Sequence, residues 1–307
     1  MKSIFIGASG LRAGWRLAMF LALSIPFGLG LDWFVTHVLH YQSSPGWNPR
    51  DFIVDGASTL FVAALAAWLM SKLEHRPFAE YGLTRLGAFG RQFWLGLLWG
   101  LVPSILIVVM IWGLGGATFH GLALHGRALF SSALFWGLAF LLLGFGEEFL
   151  YRGYAQFTLS TGMGFWPAAG LLSGVFGAVH YFGKPMESWR DGVSVALYGL
   201  FWCFTLRRTG SLWFAIGFHA MSDYADMVIF AEPNTGNQGQ PLPGHLLDIT
   251  YHGPDWLTGG PCGTEASALV FLILATLFLL FHRLYPPRIP PPTAGSNFRP
   301  GSGQILA

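Results

Sequence analysis

The chain has 307 residues, 53% of them hydrophobic and only 10% charged, whereas a soluble domain usually carries about 25% charged residues. That balance excludes an ordinary soluble domain and identifies a membrane protein. A net charge of +2 is too small to suggest a nucleic-acid partner, and the basic residues are better explained as topology markers.

A helix needs roughly 20 apolar residues to cross about 30 Å of hydrocarbon. Eight stretches qualify in chain order, at roughly 15–36, 52–71, 92–114, 129–151, 165–182, 191–206, 211–230 and 266–284. The fifth and sixth are short, and the turn between them holds Lys184, Glu187, Arg190 and Asp191. The first follows Lys2, Arg12 and Arg16 as a secretory signal would, but no small-residue cleavage site accompanies it, so it reads as a retained helix. The expected fold is all-α: a polytopic membrane bundle of about eight helices forming one domain over 1–285. The Pro/Gly-rich tail 286–307 cannot build a packed element and reads as disordered.

Basic residues fall on alternate connections. Lys72, Arg76, Arg85 and Arg91 join spans two and three, Arg207 and Arg208 join six and seven, and Arg283, Arg288 and Arg299 follow span eight. The bias of Lys and Arg towards the cytoplasm then puts both termini on that side of a cell membrane. The long connection 231–265, with Glu232, Asp248, Asp255 and Glu265, faces the other way, where Lys184 and Arg190 are discordant. Cys203 lies in a span and Cys262 in that connection, an unpromising pair for a disulfide.

The fourth span ends in GFGEEFLYRGY. Glu148 and Arg152 stand four apart on one helical face and can pair, whereas Glu147 is rotated by about 100° and is not neutralised by that contact. An unpaired carboxylate at membrane depth costs at least about 2.5 kcal/mol, so it marks either a functional group or the point where the helix meets the interface. The fifth span carries His180 in SGVFGAVHYF, and STGMG at 160–164 makes a helix-hairpin turn before it. Measured from that turn, Glu147 and His180 are each about 25 Å away along their helices and sit at equal depth. Gly170, Gly174 and Gly177 offer a small-residue strip by which the fifth helix could approach the fourth. In the seventh span His219 and Asp223 share a face, and Asp226 extends it. Three apolar helices each supplying ionisable groups at one-turn spacing predict one polar cavity within the bundle.

EEFLYRG, FGAVH and HAMSD match, in order, the EExxxR, FxxxH and Hxxx(N/D) motifs of the CPBP family, the CAAX proteases and bacteriocin-processing (Abi) proteins. The resemblance covers about residues 80–230. It implies an intramembrane endopeptidase related to the Ras-converting CAAX endopeptidase, with Glu147 and His180 activating water and His219 and Asp223 stabilising the oxyanion. Glu148 and Arg152 would be supporting residues. Asp223 stands where an Asn would donate a hydrogen bond. As a carboxylate it would repel a developing anion, so orienting His219 or keeping it cationic is the better role. Glu147, His180, His219 and Asp223 are also zinc ligands by type. However, there is no HExxH, and four protein ligands would close a site that needs an open position. No cofactor is called for firmly, zinc being the one metal the donors suggest. The implied partners are a peptide or protein substrate, with or without an attached lipid, and the bilayer. The alternatives are a non-catalytic scaffold or bacteriocin-immunity protein of the same fold, and a proton- or ion-coupled transporter. A rhomboid-type serine site at Ser173 and Gly174 would leave Glu147 unexplained.

Overall fold

The computed structural model describes residues 2–7, 10–84 and 87–287. Arg85 and most of the predicted tail, 288–307, lie outside them. Numbering helices of eight residues or more, α1 is Ala13–Trp33, α2 Pro49–Leu73, α3 Arg91–Gly113, α4 Gly126–Glu148, α5 Gln156–Met163, α6 Phe165–Gly183, α7 Trp189–Thr209, α8 Trp213–Asp223 and α9 Leu269–Leu284. Each of the eight predicted stretches contains a helix. Among the described residues, four uninterrupted helical stretches are long and apolar enough to cross a membrane: Ala13–Val38, Pro49–Leu73, Arg91–Gly113 and Gly126–Met163. Large apolar side chains on these stretches face outward, Phe130 at 74% exposure and Leu29 at 67%, as a lipid environment allows and water would not.

Local chemistry sets several helix ends. Asn48 caps α2 by accepting from the Asp51 amide at 3.0 Å, with Pro49 at the first helical position, where its missing N–H costs nothing. Ser188 caps α7 by accepting from the Arg190 amide at 3.2 Å. The predicted hairpin turn is tighter than its five-residue motif: the helix runs to Met163 and breaks at Gly164 alone, where φ is 85°.

The helices meet where glycines let backbones touch. Gly96 and Gly100 bring α3 against the backbone of α8 at Phe214 and Phe218, and Gly217 answers against Phe93. Gly56 of α2 faces Leu143 of α4, where an added Cβ would come within 2.8 Å of the backbone nitrogen. The strip predicted on the fifth span behaves otherwise. Gly170 and Gly174 meet nothing, and Gly177 packs on Gly192 and Ala196 of α7 rather than on α4. Their spacing was right for a contact, but sequence order does not say which neighbour receives it.

Among the described residues the regular structure is helical apart from two small antiparallel sheets. β1 (Ile6–Gly7) pairs with β2 (Gly10–Leu11). β3 (Ala117–Leu122) pairs with β4 (Leu247–Tyr251), Ala117 opposite Tyr251 and Leu122 opposite Leu247, with a bulge between Phe119 and Gly121. The second sheet ties the α3–α4 connection to the long 230–268 connection. Further links at that end include Glu187 to Thr235 and Arg190 to the Ala266 carbonyl. At the opposite end Arg16 pairs with Glu74, Trp213 donates to the Thr84 carbonyl, and Arg208 meets His282. Cys203 and Cys262 are both free thiols.

Candidate active site

α4 does not stop at Glu148. It continues as a π-helical segment, Phe149–Ala155, in which Gly153 leaves helical geometry with φ −80° and ψ −110°. Such wide turns recur at functional sites because they re-aim side chains without ending the helix. The Glu148–Arg152 pair survives it, Oε1 to Nη1 at 2.9 Å, with both side chains fully buried. The absent side chain of Gly199 on α7 makes room for the Arg152 guanidinium. Glu147 points elsewhere and keeps 22% of its side chain exposed.

The second helix of the site is brought in by a close crossing. A Cβ on Gly144 would come within 3.0 Å of the Ala220 backbone nitrogen, so α4 and α8 are nearly in backbone contact there. One turn along, His219 Nδ1 reaches Glu148 Oε1 at 3.0 Å. A carboxylate accepts, so this nitrogen carries the proton. Nε2 of the same ring lies 3.4 Å from Asp223 Oδ2 and 3.8 Å from Glu147 Oε2. Trp202 of α7 stacks on the imidazole at 4.2 Å and 16°. Phe176 stands edge-on to it at 6.2 Å and, with Trp202, also covers the Arg152 guanidinium at 4.4 and 5.1 Å. Aromatic faces thus hold both the cation and the imidazole.

His180 of α6 directs Nδ1 to the Phe176 carbonyl at 2.9 Å. A carbonyl only accepts, so Nδ1 donates and Nε2 is left as the lone-pair nitrogen of the neutral ring. Glu147, His180, His219 and Asp223 all line one cavity of about 200 Å³. A larger cleft of about 580 Å³ between α1 and α2 holds none of them. Asp226 is not in the lining either. The helix widens into a π-turn at Tyr224–Ile229, which rotates Asp226 away from Asp223 towards Ser104 of α3.

Several wall residues escaped the motif reading: Trp47, Lys184, Tyr198, Trp202 and Glu265. In the sequence Lys184 stands out only as a discordant charge. Burial would lower its pKa, but Asp191, Glu265 and Glu187 hold it above the ordinary lysine value. Burial pushes Glu265 up to about 7. The others sit in aromatic-rich or distant segments, where nothing in the sequence sets them apart.

Zinc does not fit this arrangement. Among the described residues no group of three or more His, Cys, Asp and Glu side chains could hold a metal ion.

Comparison with known families adds an independent line. Residues 128–225 match the family model described as type II CAAX prenyl endopeptidase Rce1-like. None of the curated proteins and none of the solved structures compared matches the chain. The matched segment runs from α4 through α8 and contains every residue of the three motifs. Over residues 128–225, then, the chain is similar to the CAAX-protease family.

Proposed function

We propose that the protein is an intramembrane endopeptidase that hydrolyses a peptide bond with water activated by Glu147. The observation that carries this reading is the meeting of Glu147, His180, His219 and Asp223, from three helices, around one small cavity. In the proposed reaction Glu147 takes a proton from water, and the lone pair on His180 Nε2 accepts a hydrogen bond from the same water and orients it. The hydroxide attacks the carbonyl carbon. With a proton on Nε2, His219 donates to the oxyanion, its ring fixed by Glu148 behind and Trp202 alongside. The proton held on Glu147 then passes to the leaving amine. Asp223 orients His219 from the cavity side, and Glu148 with Arg152 positions the imidazole from the buried side.

The same reading takes the eight helical stretches as eight crossings of one membrane domain, with a polar cavity at membrane depth and both termini cytoplasmic. Alternate connections gather at opposite ends, which supports it. The α1–α2, α3–α4, α6–α7 and 230–268 connections share one end, and the basic connections share the other. The substrate is a peptide presented at the bilayer.

Wild type and Glu147→Gln in membrane preparations, compared by mass spectrometry of released peptides, test the reading. Cleavage is expected to fall by about 10²–10⁴-fold in the variant, the range a general base contributes. Identical products at identical rates would remove Glu147 from the chemistry.

A further inference from the structure

The connection between α1 and α2 lies outside the family match, yet it reaches the cavity. Trp47 is part of the lining that also includes Glu147 and His219. Its ring meets Phe52 edge-on, centroids 4.9 Å apart at 68°. It also fills the place that a side chain on Gly236 would need, so a Cβ there would run into the indole. Trp47 is half-buried, as are Glu147, His180, Lys184 and Glu265 of the same wall, whereas Phe176, Val195, Trp202 and His219 are at most 4% exposed. The indole is thus one of the wall residues that reach the surface, and it is wedged between Phe52 of α2 and the 230–268 connection.

Residues 39–48 form neither helix nor strand. One carboxylate gathers them instead. Asp51 accepts from the Tyr41 hydroxyl, from the Ser44 amide at 3.0 Å and from the Asn48 side chain at 2.6 Å. Arg50 lies over the Tyr41 ring at 4.5 Å. These anchors flank Trp47 on both sides, and all three hydrogen bonds end on Asp51, whose own side chain does not line the cavity. Segments held by few side-chain bonds to a single group open locally far more easily than the helices they join.

We propose that Trp47 is the access-determining residue of the cavity, an indole door kept shut by the Asp51 clasp, so that a peptide reaches Glu147 only when the 39–48 connection lifts. Its meaning rests on the hydrolytic reading above, but the experiment that tests it does not need activity. Val195→Cys, in a background with Cys203 and Cys262 replaced by Ser, places a single thiol in the cavity wall. Its rate of modification by a small methanethiosulfonate is measured on the full chain in detergent. With Trp47 in place the rate is slow. Trp47→Ala is expected to raise it by about tenfold or more, Asp51→Ala to raise it likewise, and Trp47→Phe to leave it near wild type. Elution volume and melting temperature are recorded for each variant, and Trp47→Leu replaces Trp47→Ala if the latter fails to keep them. Equal rates with Trp47 and with the smaller side chain would overturn the proposal, as would a rise seen only in protein that has lost its fold. Glu147→Gln should label like its parent. If that variant still cleaves peptide, the hydrolytic reading falls and the door remains.

Discussion

An arginine and a glutamate with no solvent exposure, four residues apart on one helix, make a demanding pair to bury. Their mutual attraction only offsets desolvation when the geometry is good, and removing one partner leaves an uncompensated charge. Arg152→Met is therefore expected to destabilise the protein by about 3–5 kcal/mol in a reversible unfolding assay, and Glu148→Met added to it should recover part of that loss. The pair was legible from spacing alone, because i and i+4 share a face in any helix. The link from Glu148 to His219, 71 residues away, was not. Spacing within one helix says nothing about which neighbouring helix supplies the third group. Glu148 was read as a support within its own helix, yet it is the acceptor that fixes the His219 ring.

At the level of elements, the site depends on how closely helices cross. Gly144 against Ala220 sets the distance between α4 and α8, one turn from the carboxylates. Gly144→Val is expected to part the two helices, lower the melting temperature and abolish cleavage, whereas Gly170→Val on the open face of α6 should do neither; thermal melts and the peptide-release assay together check both. Helix positions followed from hydropathy, since an apolar run of membrane length has few other fates. The partner choice of each glycine strip did not. Gly96 and Gly100, spaced as a small-xxx-small pair on α3, make one of the close contacts, while the strip singled out on α6 packs on α7 through Gly177 alone. A run of small residues marks a face able to approach something and leaves the something open. The π-turns after Glu148 and Asp223 were equally unreadable, and one of them turned Asp226 out of the cavity.

For the molecule as a whole, the long connection from 230 to 268 is folded onto the bundle, with Glu232 buried and accepting from the Thr264 amide and hydroxyl, each at 2.9 Å. Burial raises Glu232 and Glu265 from an ordinary 4.5 to about 7 each. A carboxyl whose pKa is higher folded than unfolded binds more protons when folded. Its stabilising contribution is complete below about 4.5 and is lost as the pH rises through about 7. Melting temperature in detergent is thus expected to fall across that interval, and Glu265→Gln to flatten the fall. A flat wild-type profile would contradict it.

What the sequence determined by itself is what local rules govern: that the chain enters a membrane, where its helices lie, which residues share a helical face, and that three motifs carry ionisable groups in apolar surroundings. Hydropathy and helical period act over a few turns, so a single chain displays them openly. What only the tertiary structure decided is which faces meet: Glu148 with His219, Trp202 over the imidazole, the glycine crossings, and Trp47 from outside the motif region standing at the cavity wall. Those contacts join residues tens to hundreds of positions apart, and they are selected by mutual fit among all the helices at once, which no local pattern encodes.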